Sequence, residues 1–290
     1  MRKSLLSLAI AGAFSLPVVA IAADAAPAAD AAPTPIHTFS PNIGVVSNYL
    51  FRGVSQTHGA AALQGGIDYS HVSGLYAGVW ASTITWVKDA YGKGSTELDV
   101  YGGYKNSFAG GDWNYDVGVI TYNYPGKGAA ITNVNLNPYT AEVYGAIGYK
   151  WLSAKYSHVV SDGFIGWAGG PNFDQKTRGS NYLELNASYD LGNGWGLGGH
   201  LGHQKVKNFS NAVFATADYD DWNLSVTKDA GYGVFGLTVS DTNSKGTCNS
   251  AGGTNPYCWG NGNFVAGVGS TTGFKDVSKS AVVLSFKKTF

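Results

Sequence analysis

Glu97 and Asp99 stand two residues apart, and the same spacing recurs in Tyr122 with Tyr124, Glu142 with Tyr144, Lys155 with Ser157, and Tyr182 with Glu184 and Asn186. Residues two apart share one face of an extended strand. Asn48 with Arg52, Gln64 with Asp68 and Ser70, Tyr101 beyond Asp99, Asp116, and Asp221 with Asn223 extend the set. Carboxylates and phenols ranked along strands, opposed mainly by Arg52 and Lys155, form a surface that can bind or pass a polar solute. An excess of acid on such a surface gives a mild preference for cations.

Covalent chemistry finds no comparable constellation. Nucleophilic hydrolysis needs a Ser held by a His that an acid or amide orients. His37, His58, His71, His158, His200 and His203 stand in no such motif. Ser157 and His158 are neighbours on a strand and so point to opposite faces, which rules them out as a dyad. The histidines also lack the spacing of a zinc hydrolase. No enzymatic activity, metal site or cofactor is expected.

The elements that must position these groups are strands. Twelve segments of about ten residues alternate apolar and polar positions, near 41–55, 62–72, 75–86, 96–108, 113–125, 138–149, 151–160, 180–191, 195–206, 219–229, 232–243 and 277–290. Short links at Ser73-Gly74, Ala109 to Asp112, Lys150, Gly192 to Gly194 and Ala230-Gly231 alternate with longer ones near 56–61, 87–95, 126–137, 161–179, 207–218 and 244–276. Tight turns at one end, long loops at the other and an even strand number predict an antiparallel transmembrane β-barrel with periplasmic turns and extracellular loops. One side of each segment is apolar: Ile43, Val45, Tyr49 and Phe51 in the first, Leu98, Val100 and Tyr104 in the fourth, Trp222, Leu224 and Val226 in the tenth. Tyr69, Trp113, Tyr139, Tyr149, Tyr189, Trp195 and Trp222 fall near segment ends, where interfacial girdles sit.

Both chain ends agree. Met1-Arg2-Lys3, an apolar run from Leu5 to Val19 and Ala20-Ile21-Ala22 predict a signal peptide over residues 1–22. An Ala/Pro-rich stretch, 23–38, predicts a periplasmic leader, and 39–290 the barrel. The last segment sets Val282, Leu284, Phe286 and Phe290 on one face and Ser285, Lys287 and Thr289 on the other. A strand ending in Phe290, with Phe286 before it, is the signal that the barrel-assembly machinery of Gram-negative outer membranes recognises. Lipid and lipopolysaccharide are then the expected surroundings.

Composition narrows the class further. Charged residues are 13% of the chain, against 41 Gly and 13% aromatics, where a water-soluble domain carries about 25% charge. Loss of Arg2 and Lys3 with the signal peptide lowers 19 basic residues to 17 against 19 acidic ones, a net charge of about −2. No basic stripe exists for nucleic acid.

Ser47-Asn48-Tyr49-Leu50-Phe51-Arg52-Gly53-Val54-Ser55-Gln56-Thr57, Gln64 to Tyr69 and Gly74 to Ser82 closely resemble the TorF-type porins, also called the Gcw_chp family. Glu97 to Tyr104, Tyr122 to Gly126 and Asp220-Asp221-Trp222 continue the resemblance. It implies a proteobacterial outer-membrane barrel. An association of some members with ammonium-transport genes implies nitrogenous solutes.

Strand direction places Glu97, Asp99, Glu142 and Glu184 in the outer half, opposed by Arg52, with Asp68 and Lys155 nearer the middle. Twelve strands leave room for a narrow pore at most. Two readings stay open: Arg52, Asp68, Glu97, Asp99, Asp116, Tyr122, Tyr124, Glu142, Lys155, Tyr182 and Glu184 line a pore for small solutes, or Arg52 and Lys155 pair with the acids across a plugged lumen. A plugged barrel would serve adhesion or structure through its outer loops. Cys248 and Cys258 fall in the longest loop of an exported chain, which predicts a disulfide that stiffens it.

Overall fold

The computed structural model describes residues 35–126, 138–167, 175–209, 216–265 and 269–290. The signal peptide expected over 1–22, and the leader as far as residue 34, lie outside the described residues.

Twelve long antiparallel strands close into a barrel. In chain order they are β1 (His37–Val46), β4 (Ala62–His71), β5 (Leu75–Thr83), β6 (Thr96–Phe108), β7 (Trp113–Asn123), β8 (Thr140–Tyr149), β9 (Leu152–Val159), β10 (Asn181–Gly192), β11 (Trp195–Lys205), β12 (Tyr219–Asp229), β13 (Val234–Thr242) and β20 (Ala281–Thr289). Each pairs with its sequence neighbours, and β1 closes the wall against β20, with Asn42 opposite Thr289 and Val46 opposite Ser285. The shorter pieces are a hairpin of β2 (Leu50–Phe51) and β3 (Val54–Ser55), a helix α1 (Trp86–Tyr91), and six short strands of the last long loop: β14 (Cys248–Asn249), β15 (Gly252–Gly253), β16 (Cys258–Trp259), β17 (Gly262–Val265), β18 (Gly269–Thr272) and β19 (Lys275–Asp276).

The wall is apolar outside and polar inside, the inverse of a soluble barrel. In β12, Trp222, Leu224 and Val226 are exposed while Asp221, Asn223, Ser225 and Thr227 are buried. In β20, Val282 and Leu284 are exposed and Ser285 is buried. A one-residue slip in either strand would exchange these sets. At the short-turn end, exposed aromatics form a belt, where Trp113 meets Tyr149 with ring centroids 4.8 Å apart and stacks on Phe108 at 6.1 Å.

Inward tyrosines lie flat against this wall because glycine stands opposite them. Gly78 pairs with Tyr101 in register, and a Cβ on Gly78 would sit 2.4 Å from the Tyr101 ring. Gly118 opposite Tyr144 and Gly103 opposite Tyr76 repeat the arrangement. Part of the glycine content is therefore space for rings.

Four boundaries differ from expectation. His37 and Thr38, read as leader, begin β1, where they pair with His71 and Ser70. Residues 47–55, read as the end of the first wall strand, leave the wall after Val46 and turn inward as the β2–β3 hairpin. Tyr49 and Phe51, expected on the apolar outside, are therefore buried in the lumen. The cause is Arg52-Gly53, both with positive φ, 50° and 78°, as the two central positions of a type I′ turn require. The third segment stops at Thr83, after which α1 occupies the loop, ended by Gly92 in the left-handed region. The last strand begins at Ala281, and Val277 instead packs beside Tyr257 in the long loop.

Candidate functional site

The inward hairpin sets the geometry of the upper lumen, at the long-loop end. Gly53 fits at its tip because a Cβ there would meet Asp221 Cβ at 2.9 Å and Thr242 Cγ2 at 2.7 Å. Tyr49 at its root donates its hydroxyl to Glu97 Oε1 at 2.6 Å, and Tyr219 donates to the Arg52 carbonyl at 2.8 Å.

Arg52 is carried to the barrel centre by this turn. Its guanidinium donates to Glu142 Oε2 at 2.7 Å and to Gln204 Oε1 at 2.9 Å. The Tyr182 and Phe51 rings lie 4.3 and 4.8 Å from it, and Phe164 lies 5.6 Å away. Tyr122 donates to the same Glu142 oxygen at 3.3 Å. A buried guanidinium thus has its charge met by one carboxylate and its faces covered by aromatic rings.

Beside it runs a second network. His200 Nε2 lies 3.1 Å from Asp221 Oδ2, its Nδ1 lies 2.6 Å from Asn186 Oδ1, and Tyr182 donates to Asp221 Oδ1 at 2.8 Å. Glu184 Oε2 accepts from Asn186 at 3.1 Å. A lower layer, towards the short turns, joins Tyr76 to Asp116 at 2.6 Å and to the Tyr144 hydroxyl, and Tyr101 to Asp68 at 2.5 Å. The Lys155 ammonium sits 4.0 Å over the Tyr144 ring, with Lys155 opposite Glu184 in register.

The sequence-predicted residues therefore fall as follows. Glu97, Asp99, Asp116, Tyr122, Glu142, Lys155, Tyr182 and Glu184 are all buried, turned inward from the wall, and Asp68 is half-buried on the same side. Tyr124 lies one residue past β7, buried against Trp86 with centroids 4.9 Å apart. Arg52 reaches the lumen from the hairpin and not from the wall. Ser157 is buried inside, whereas His158 Nδ1 meets the outward Tyr156 hydroxyl at 3.2 Å, so the two do face opposite ways. Gln204 was not singled out in the sequence, Tyr49 was read onto the apolar outside, and His200 was read only as a histidine outside any catalytic motif. His200 stands on the inward side of β11, opposite Asn223, and the alternation alone could have found it.

Above the hairpin lies a cavity of about 320 Å³. Trp86, Tyr91, Trp167, Tyr257 and Trp259 wall it, and Phe51 and Val54 line its hairpin side. Cys258, joined to Cys248 by a disulfide across a separation of 10 residues, holds the strand that carries Trp259. Asp89 of α1 also lines this space. Burial pushes its carboxyl up to about 6, against smaller opposing effects of the Thr85 hydroxyl and Lys88.

A closed twelve-stranded antiparallel wall with an apolar outside and a charged, hydrogen-bonded inside defines a transmembrane β-barrel. The chain belongs to the Gcw_chp family, described as bacterial protein of unknown function, which it matches over residues 30–290. No curated protein matches it. Similar solved structures are porins. A KdgM porin in complex with disordered oligogalacturonate is 8% identical, at TM-score 0.49, over 87% of this chain and 99% of that one. The NanC porin is 10% identical, at TM-score 0.45, over 87% and 99%. OprD of Pseudomonas aeruginosa is 13% identical, at TM-score 0.39, over 80% and 61%.

Proposed function

We propose that the chain is an outer-membrane channel of a Gram-negative bacterium, related to the TorF-type porins, for passive uptake of small hydrophilic solutes. Its preference is mildly for cations, and nitrogenous solutes such as ammonium or amines are its cargo. The carrying observation is the charge of the upper lumen. Glu97, Asp99, Glu142, Glu184 and Asp221 are buried around it, and the guanidinium of Arg52 is already engaged by Glu142. The remaining acid excess sets a negative potential along the path. The apolar outside suits lipid and lipopolysaccharide, and the exposed Phe290 at the end of β20 suits delivery by the barrel-assembly machinery after export by residues 1–22.

Single-channel conductance of refolded protein across a salt gradient tests this. Discrete steps with a cation-side reversal potential are expected, and Glu97→Gln with Glu184→Gln should move that potential towards zero.

A second reading has its own support. The hairpin lies inside the wall with Tyr49 fully buried and Arg52 4% exposed, the arrangement of a plug whose barrel acts through its outer loops. A silent bilayer from folded, heat-modifiable protein would select it.

A further inference from the structure

The cavity above the Arg52 hairpin is built from residues far apart in sequence. Trp86 faces Trp259 with ring centroids 6.2 Å apart at 43°, and Tyr91 at 6.4 Å and 65°. Trp167 stands against Tyr257 at 5.5 Å and 80°. Rings inclined to one another in this way make a cage and not the flat platform on which a sugar ring stacks. The polar side chains on the lining apart from the Trp and Tyr rings are Gln56, Asp89 and Ser270.

Two polar atoms here are left over. Asp89 Oδ2 is buried with no partner at hydrogen-bonding distance, the Thr85 hydroxyl nearby offsetting only part of the effect of its burial, and Nε1 of Trp86, a residue only 7% exposed, is also without a partner. Both residues line the cavity. An unmet buried carboxylate oxygen costs free energy that a ligand carrying a positive charge would recover. Among the described residues lining the cavity, Asp89 is the one carboxylate, and no Lys, Arg or His stands there. Arg52 lies behind the Phe51 and Phe164 rings with its charge met by Glu142.

The placement is held from several sides. Thr85 and Trp86 donate their backbone N–H groups to the Gln56 carbonyl at 3.0 and 3.4 Å, which docks α1 on the root of the hairpin. Ser270 of β18 donates to the Asp89 carbonyl at 2.9 Å. Trp259 is fixed by its Nε1 bond to the Pro256 carbonyl at 2.9 Å.

We infer that this aromatic cavity is a binding site for a small organic ammonium ion, held by the Trp86, Trp167, Tyr257 and Trp259 rings and by the Asp89 carboxylate. Aromatic faces attract a desolvated cation, and the carboxylate supplies the opposite charge. The site deepens the channel proposal by naming a solute class at its entrance, and so rests on that reading.

The test is isothermal titration calorimetry of full-length refolded protein in detergent with choline, and with its neutral isostere 3,3-dimethylbutan-1-ol. Choline should bind about tenfold more tightly than the alcohol, the scale of a desolvated cation–π contribution. Asp89→Asn, which keeps shape, should weaken choline by about the same factor and leave the alcohol unchanged, and Trp259→Leu should weaken choline by more than it weakens the alcohol. Equal binding of the two ligands, no saturable choline heat, or unchanged affinity in Asp89→Asn would overturn the site. The wild-type comparison needs no variant to fold. Bilayer conductance separates the two claims: choline binding with a silent bilayer removes the channel, and conduction without choline binding removes the site.

Discussion

Arg52 and Glu142, 90 residues apart in sequence, share an ion pair of 2.7 Å at the barrel centre, and neither is more than 4% exposed. Breaking a buried pair from one side leaves an uncompensated charge and costs about 3–5 kcal/mol. Arg52→Ala should therefore lower the heat-modification midpoint in detergent. It should also raise conductance and cation selectivity, because it removes side-chain bulk and frees a carboxylate. Adding Glu142→Gln should restore much of the midpoint while the larger conductance stays. An unchanged midpoint in Arg52→Ala would show that the pair is dispensable.

Tyr101 rests on Gly78, and its hydroxyl holds Asp68. Gly78→Ala drives a methyl into the ring, and overpacking of this kind costs about 1–3 kcal/mol. Thermal unfolding followed by circular dichroism should show that loss, and Tyr101→Ala placed with Gly78→Ala should show less than the sum of the two single effects.

The Asp89 carboxyl titrates near 6, which gives the cavity a pH dependence. Above that value it is ionised and attracts a cation; below it the proton neutralises the group. Choline affinity should therefore fall as pH drops through about 6 and level off above it, and bound choline should lower the carboxyl's pKa. Burial pushes the Tyr91 hydroxyl on α1 up, further from this window, and β17 and β18, which pack against the helix, carry no ionisable side chain. A flat calorimetric pH profile from 5 to 8 would contradict this.

Reduction of Cys248–Cys258 should weaken choline binding severalfold through the strand that carries Trp259, while the far-ultraviolet spectrum of the barrel stays the same. The double variant Cys248→Ser with Cys258→Ser should behave alike. Full affinity in the reduced protein would mean that the hydrogen bond of Trp259 to Pro256 holds the ring alone.

The wall was legible in the sequence because lipid and lumen impose opposite demands on alternate residues. Trp222, Leu224 and Val226 against Asp221, Asn223 and Ser225 leave one workable register. The hairpin was not legible by the same rule. Alternation continues through Leu50–Phe51 and Val54–Ser55, which are strands too, and only the Arg52-Gly53 turn marks that they leave the wall. The aromatic cavity had no periodic signal at all. Trp86, Trp167 and Trp259 come from three long loops, and closure of the barrel, not local pattern, brings them together.

The hairpin leaves the wall at the seam. Ser47 N–H donates to the Leu284 carbonyl at 2.8 Å, and Leu284 N–H donates to Ser47 Oγ at 2.9 Å across 237 residues. The hinge of the inward turn is thus also the last stitch between the first and final strands. The hairpin that carries Arg52 to Glu142 is anchored at the closing seam, so the central ion pair of the lumen and the closure of the wall share one short stretch of chain.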